Sequence, residues 1–365
     1  MVLMSKTELT KMQIKRIEKE IRDTPYHKGT EHHIGRLRAK LAKLKDSLLE
    51  ASSKKSGGGG GYAVKHQGDA TVVLVGPPSV GKSTLLNKLT NAKSKVAPYA
   101  FTTVTVIPGM MEYKNAKIQI LDVPGLIKGA EEGKGRGREV LSVVRGCDLL
   151  ILMTDIDDIE ALSRISKTLE KNGVRINKVP PNIKIDKKLK GGIIVHTNIK
   201  LDFGKETIKE IASQFGYRNA EITIKEKISI DVLIDTFSKS RVYIPTLYVV
   251  NKSDLLSHDS IFDIHYSPLF ISAETAKGLD TLKEEIYKAL NFIRVYLVKT
   301  DEEPSFDNPI VMKEGQLLYD VAEKLGSEFS ENKTKAKIWG GGAKFPGQVV
   351  SLTTLIQEGM QIRFI

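Results

Sequence analysis

Apolar positions recur at helical spacing through the first fifty residues: Ile14, Ile17 and Ile21 share one face, and Ile34, Leu37, Leu41, Leu44 and Leu48 follow at intervals of three and four. This spacing predicts helices over 6–24 and 30–52, the first opened by a Ser5/Glu8 capping box and the two separated by the break from Asp23-Thr24-Pro25 to Gly29. An antiparallel helical hairpin is expected over 1–56. The uninterrupted glycines of 57–61 suit the interior of no helix or strand, so 57–68 reads as a flexible linker. A phosphate-loop reading of that run fails, because no strand precedes it and no Gly-Lys-Ser/Thr ends it.

From residue 70 the period changes. Short apolar runs at 71–75, 117–122, 149–154, 245–251 and 269–272 alternate with helical stretches, which predicts an α/β fold with a mostly parallel sheet and helices on both faces. The segment 163–240 exceeds what a crossover helix needs and carries Pro180-Pro181 and its own runs at 192–197, 205–215, 221–225 and 230–238. It is expected to be a small α+β domain inserted into a main domain spanning 69–290. The remainder, 291–365, offers a strand at 292–299, a helix at 316–325 and a last strand at 359–365, the pattern of a small β-grasp module.

Composition narrows the class. With 365 residues, 41% of them hydrophobic, the chain can bury sizeable cores in two or three domains of about 150 residues. No stretch approaches the roughly 18 apolar residues of a membrane helix. The N-terminus has no apolar signal core, and a single cysteine, Cys147, forms no internal disulfide. A reducing, cytoplasmic location is the expectation. Of the net charge of +12, much lies in 1–68, which hold 15 Lys/Arg against 7 Asp/Glu. Such a concentration suits a partner bearing phosphates or an anionic surface; on charge alone, a solvated helical face suits it equally.

The chemistry begins where the run 71–75 enters Gly76-Pro77-Pro78-Ser79-Val80-Gly81-Lys82-Ser83, a phosphate-loop pattern. Gly76 and Gly81 allow the tight turn that aims backbone N–H groups and a helix N-terminus at a polyphosphate. Lys82 would reach the β- and γ-phosphates and the Ser83 hydroxyl would ligate Mg²⁺, with Thr84 next in line. Asp122-Val123-Pro124-Gly125 ends the second strand: Asp122 would hold Mg²⁺ through water, and the Gly125 N–H would reach the γ-phosphate. Thr103, in Pro98-Tyr99-Ala100-Phe101-Thr102-Thr103, would complete the metal shell. Asn251-Lys252-Ser253-Asp254 follows an apolar strand at a carboxyl edge where open α/β sheets hold nucleotides. Asp254 can accept from guanine N1–H and the 2-amino group, and adenine offers neither donor, which leaves a buried carboxylate unpaired. Ser272-Ala273-Glu274 ends another strand, where a backbone N–H could hold the guanine O6. Each element alone reads as an ordinary turn; five in this order do not. Lys82, Thr103 and Gly125 are the expected catalytic set, and Ser83, Thr103 and Asp122 the metal set.

On these residues, together with Phe101-Thr102-Thr103 and the glycine-rich 129–139, the chain resembles the Obg branch of translation-factor-class GTPases. His32-His33, Pro180-Pro181-Asn182-Ile183, Arg241-Val242-Tyr243-Ile244-Pro245 and Ile338-Trp339-Gly340 narrow the likeness to the developmentally regulated GTP-binding (DRG) proteins, over essentially the whole chain. The resemblance implies an N-terminal helical region, a GTPase domain interrupted by a small domain of ribosomal-protein-like fold, and a C-terminal TGS domain. It implies association with ribosomes or rRNA and, in eukaryotic members, a dedicated stabilising partner protein. The free chain is expected to be monomeric and off the membrane. Phe345-Pro346-Gly347 and Gln357-Glu358-Gly359 depart from the family's usual TGS residues.

Leu126 stands where many small GTPases place a water-orienting glutamine, so intrinsic GTP hydrolysis should be slow. A switch accelerated on a partner follows, with loops near 98–109 and 125–140 ordered by GTP. K⁺ is a candidate second cation, although Ser79 replaces the asparagine of the better-known potassium-activated GTPases. Lys134, Arg136 and Arg138 read as an arginine finger or as a solvated loop; Cys147 reads as core; Trp339 and Phe345 read as core or as a base-stacking pair. Lys40, Lys43 and Lys45 are candidate phosphate contacts. Two rival functions are an RNA-binding or scaffold protein in which bound guanine nucleotide is mainly structural and an ATP-dependent small-molecule kinase, the latter disfavoured by Asp254 and the lack of a lid sequence.

Overall fold

A computed structural model describes residues 6–53, 68–90, 97–98, 105–123, 136–256, 266–326 and 333–365. In chain order the elements are α1 (Lys6–Asp23), α2 (Glu31–Ser53), β1 (Ala70–Val75), α3 (Lys82–Leu89), β2 (Ala97–Pro98), β3 (Thr105–Tyr113), β4 (Ala116–Asp122), α4 (Arg136–Arg145), β5 (Leu149–Asp155) and α5 (Ala161–Lys171). There follow β6 (Val174–Ile176), β7 (Ile183–Lys187), β8 (Ile193–Thr197), α6 (Lys205–Gln214), β9 (Ala220–Ile224), α7 (Ile230–Phe237), β10 (Val242–Ile244) and β11 (Thr246–Asn251). The last are β12 (Leu269–Phe270), α8 (Leu279–Ala289), β13 (Phe292–Leu297), β14 (Pro309–Lys313), α9 (Leu318–Leu325), β15 (Lys335–Gly340), β16 (Gln348–Ser351) and β17 (Met360–Phe364). Among the described residues no helix is long and apolar enough to cross a membrane.

The chain divides into two compact units, Ala63–Asn172 with Ile244–Ile365, and Met1–Tyr62 with Gly173–Tyr243. The first is built on a seven-stranded sheet of order β12-β11-β5-β1-β4-β3-β2. Strands β12, β11, β5, β1 and β4 run parallel, and β3 joins antiparallel to β4. Every residue of β1 and of β5 is buried, as their unbroken apolar runs require of strands covered on both faces. Because the five strands are parallel, their carboxyl ends gather Gly76, Val123, Asp155, Asn251 and Ile271 along one edge.

Three features of this unit differ from the expectation. β3 occupies a stretch with no predicted strand, since Pro108 and Gly109 weaken the strand pattern. A Cβ at Gly109 would stand 2.6 Å from Thr90 Cγ2, so this strand passes the end of α3 too closely for a side chain. Second, α5 was expected inside the segment 163–240, yet it belongs to the first unit, its Leu162, Ile165 and Leu169 fully buried, and the second unit resumes only at Gly173. Third, β12 ends at Phe270, which leaves Ser272 in the following turn.

A five-stranded sheet of order β14-β13-β17-β15-β16 closes the first unit, with β13 and β17 parallel neighbours. One face packs Val295, Ile338 and Ile362 against Leu318, Val321 and Ala322 of α9. This sheet also shares the larger core: Phe292 and Val311 lie in one apolar cluster with Ile286 and Tyr287 of α8, and the Tyr287 and Phe292 rings meet edge to face at 5.5 Å.

In the second unit, β9 is central, antiparallel to β7 and parallel to β8, and α6 and α7 bury Ile208, Ile211, Leu233 and Phe237 against Ile222 and Ile224. The N-terminal helix α2 contributes Ala39 and Ala42 to that same core. Its small residues Gly35, Ala39 and Ala42 lie at helical spacing, and a Cβ at Gly35 would come within 3.1 Å of Thr207 Cγ2. The opposite seam of α2 is buried at Ile34 and Leu37, and a contact of His33 Nε2 with Glu20 Oε1 at 3.1 Å and the ion pair Lys45–Glu18 join α2 to α1. A buried charge network fastens the end of α2: Asp235 accepts from Arg175 and Arg241, and Asp46 accepts from Arg241, Ser238 and Ser240.

Candidate functional site

The site lies on the carboxyl edge of the parallel strands, in the first unit. β1 turns at Gly76 directly beneath β5, where a Cβ would fall 2.0 Å from the Met153 carbonyl oxygen, so only glycine fits. The loop 76–83 then runs through left-handed Ser79 (φ 63°) and Gly81 (φ 92°) into α3. Pro77, Pro78, Ser79, Ser83 and Thr84 keep some or much of their surface at solvent, while Val80 and Lys82 are buried. Lys82 Nζ donates to the carbonyls of Gly76 at 3.1 Å and Pro77 at 2.6 Å. Burial draws its pKa below the ordinary lysine value, against the opposing pull of the Asp122 charge.

Ser83 Oγ donates to Asp122 Oδ2 at 2.7 Å. Asp122 Oδ1, by contrast, is buried with no hydrogen-bond partner. An enclosed carboxylate oxygen left so is costly, and a hard divalent cation held by Asp122 and Ser83 would satisfy it. The residues present therefore fit Mg²⁺. Thr103 and Gly125, expected in the catalytic and metal sets, lie outside the described residues, as do Leu126 and Lys134; for Arg136 and Arg138 only their place in α4 is described.

At the end of β11, Asn251 is buried and acts as a strut. Its Nδ2 donates to the Val80 carbonyl at 2.9 Å, and its Oδ1 accepts from the Ala273 amide at 2.8 Å. One amide side chain thus joins the phosphate loop, the turn after β11 and the loop after β12. A Cβ at Gly81 would stand 2.3 Å from that same Nδ2, so the glycine makes room for the strut. Lys252 takes a left-handed backbone (φ 62°) and opens a 3₁₀ turn, Ser253–Leu255, that presents Asp254 at the surface. The Ser253 amide is tied to the Ile271 carbonyl at 3.0 Å. Ser272 is fully buried, its Oγ accepting from the Thr275 amide at 3.2 Å, and Glu274 is exposed.

The structure thus gathers every described member of the expected set at one edge: the loop 76–84, Asp122, Asn251 to Asp254 and Ser272 to Glu274. Sequence reasoning missed Asp155. Its only signal is a carboxylate closing an apolar strand, and its partner, Lys252 at 2.6 Å, follows a strand far along the chain.

Fold and site together define a P-loop GTPase domain. Residues 71–187 match a family model described as a 50S ribosome-binding GTPase, and 190–292 match the model described as the C-terminal region of that domain. The chain is 48% identical to an uncharacterised GTP-binding protein of Methanocaldococcus jannaschii over 95% of its own length and 90% of the relative's. It is 41% identical to the Arabidopsis thaliana developmentally-regulated G-protein 3 (93% and 94% covered) and 39% identical to the human developmentally-regulated GTP-binding protein 2 (97% and 98% covered). The chain belongs to the developmentally regulated GTP-binding protein family.

Proposed function

We propose that this chain binds GTP and GDP with Mg²⁺ at the edge described, hydrolyses GTP slowly, and works as a nucleotide-dependent switch on ribosomes or ribosomal RNA in the cytoplasm. The observation that carries the reading is the Asn251 strut, which makes a phosphate-binding loop and a base-reading turn one rigid frame. In that frame the amides of 76–84 and the start of α3 face the phosphates. Lys82 delivers its charge to the β- and γ-phosphates, steadied from behind by the Gly76 and Pro77 carbonyls. Asp254 accepts from guanine N1–H and the 2-amino group, with the Ala273 region at O6.

Ser83, Thr103 and Asp122 are the metal-holding residues of this reading. A Mg²⁺ held by these residues would supply positive charge to offset the negative charge of the phosphates. The Gly125 amide meets the γ-phosphate, and Leu126 offers the attacking water no hydrogen bond, which keeps turnover slow until a partner supplies what is missing. K⁺ is a candidate for part of that charge; equal single-turnover rates in KCl and NaCl would dismiss it.

The resemblance extends the proposal to the remaining modules. We read α1 and α2 as the family's N-terminal helical region, β7 to β9 with α6 and α7 as its inserted domain, and β13 to β17 with α9 as its TGS module, a β-grasp supported by the parallel pairing of first and last strands. A regulatory partner protein is proposed on the same ground, and a monomeric state for the free chain. For the RNA contact the structure revises the candidate lysines. Lys43 donates to the Gln214 carbonyl and Lys45 pairs with Glu18, so replacing either would also remove a contact within the fold. Lys40 on α2 stays exposed and remains a candidate, and Lys11, Lys15 and Lys19 on α1, likewise exposed, are the residues to replace with it.

Three measurements test the proposal. Labelled GTP should be displaced by unlabelled GDP and not by ATP, and GTP should be hydrolysed in single-turnover assays. Ribosome co-sedimentation should differ between GDP and a non-hydrolysable GTP analogue; equal affinities would favour the scaffold reading.

A further inference from the structure

Asp155 closes β5 and is registered directly against Asn251 in the parallel pairing with β11. With 8% of its surface at solvent, its carboxylate is nearly enclosed, and burial of that kind demands a charged or hydrogen-bonding partner. Lys252 supplies it, Nζ to Oδ2 at 2.6 Å. At its other end Lys252 is held in a left-handed backbone conformation (φ 62°), where a side-chain-bearing residue is costly unless its surroundings enforce it. The four-methylene stem is therefore pinned at both ends, immediately before the Ser253–Leu255 turn that carries Asp254. The Asp155 hydrogen bond, reinforced by the charge of Asp157, also holds the ammonium protonated beyond the ordinary lysine range.

We propose that Asp155 is a positioning residue of the guanine site, fixing Lys252 so that its stem forms a preset apolar strip for the flat face of the purine ring while Asp254 reads the ring's edge. The inference rests on the guanine-nucleotide reading above. A free lysine would have to give up its rotamer freedom when the base arrives; one already tethered loses little, and the gain appears as affinity. A ring face carries no information on phosphate number, so GTP and GDP should weaken together when the tether is cut, while the preference of guanine over adenine stays with Asp254.

The test is a titration of the full chain with a ribose-labelled fluorescent GDP, alongside GTP competition and nucleotide-free thermal melts. Asp155→Asn is expected to weaken GDP and GTP equally, by about tenfold, through faster release. Lys252→Met should show the same loss, and the double variant should be no weaker than either single one, because each change cuts the same tether. Wild-type affinity in Lys252→Met overturns the proposal even if Asp155→Asn fails to fold, and so do losses that multiply in the double variant. A wild-type chain without preference for GDP over ADP sinks the guanine reading and this proposal with it, whereas guanine binding that survives Asp155→Asn undiminished overturns the proposal alone.

Discussion

Asp148 and Lys313 form an ion pair in which the carboxylate also serves as a strand clamp: Oδ1 accepts from Lys313 Nζ, and Oδ2 accepts from the Thr71 amide at 2.8 Å. Asp69 repeats the device, taking Lys324 on Oδ1 and the Lys117 amide on Oδ2 at 2.8 Å. Each carboxylate stands just ahead of a central strand, at the end opposite Gly76 and Asn251, and each reaches a lysine of the C-terminal module. That module is thus fastened to the parallel sheet by charge as well as by the apolar contact of Phe292 and Val311. Asp148→Ala should destabilise the chain by about 1–3 kcal/mol, because a charge-assisted backbone hydrogen bond is lost. Lys313→Ala should cost under about 1 kcal/mol, as expected for a half-exposed ion pair. Urea unfolding of both variants checks the order; equal losses would mean that the Thr71 clamp contributes nothing.

Ser83 and Asp122 touch each other, and a cation between them would be bound by the same two side chains. Ser83→Ala should therefore lower GTP affinity in Mg²⁺ by more than about tenfold and leave affinity in excess chelator nearly unchanged. A loss of equal size with and without Mg²⁺ would show that the hydroxyl acts on the loop and not on a metal.

Asp254 is the expected reader of the guanine N1–H and 2-amino group. An amide at this position donates where the carboxylate accepts, and xanthine presents a carbonyl where guanine presents its 2-amino group. Asp254→Asn should therefore move preference from GDP towards xanthosine diphosphate, measured by competition against a labelled nucleotide. A variant that keeps guanine preference contradicts the assignment.

Cys147 makes a pH-dependent prediction. Its thiol donates to the Val144 carbonyl at 3.0 Å, and burial first, the Asp148 charge second, push its pKa far above the ordinary thiol value. The folded state then keeps its proton where the unfolded chain loses it. This contribution is whole below the unfolded thiol pKa of about 8.5 and declines above it, by at most about 1.4 kcal/mol per pH unit. Cys147→Ser should lose less stability than the parent chain between pH 8 and pH 10 in urea titrations. Parallel losses would mean that the thiol ionises as readily folded as unfolded.

Much of the site was legible because its parts are contiguous. Gly76 to Ser83, Asp122 and Asn251 to Asp254 each follow an apolar strand, and a parallel sheet brings strand ends to one edge whatever the crossovers do. β3 was illegible because Gly109 answers to Thr90, a residue of another element. Asp155 was illegible because its meaning depends on which strand lies beside β5. Nor did any local pattern announce that α2 would be buried on two faces; the leucine seam masked the small-residue face of Gly35, Ala39 and Ala42.

By itself the sequence determined the local chemistry and the alternation of strand and helix, since both follow from periodicity and from residues adjacent in the chain. Tertiary structure alone decided the company those residues keep. It set Arg38 against Asp231, 193 positions away, joined α2 to the core of the inserted segment, and turned Asn251 into a strut between two loops. Such contacts arise from shape and burial summed over whole elements, and pairwise burial between distant segments leaves no periodic trace in either one.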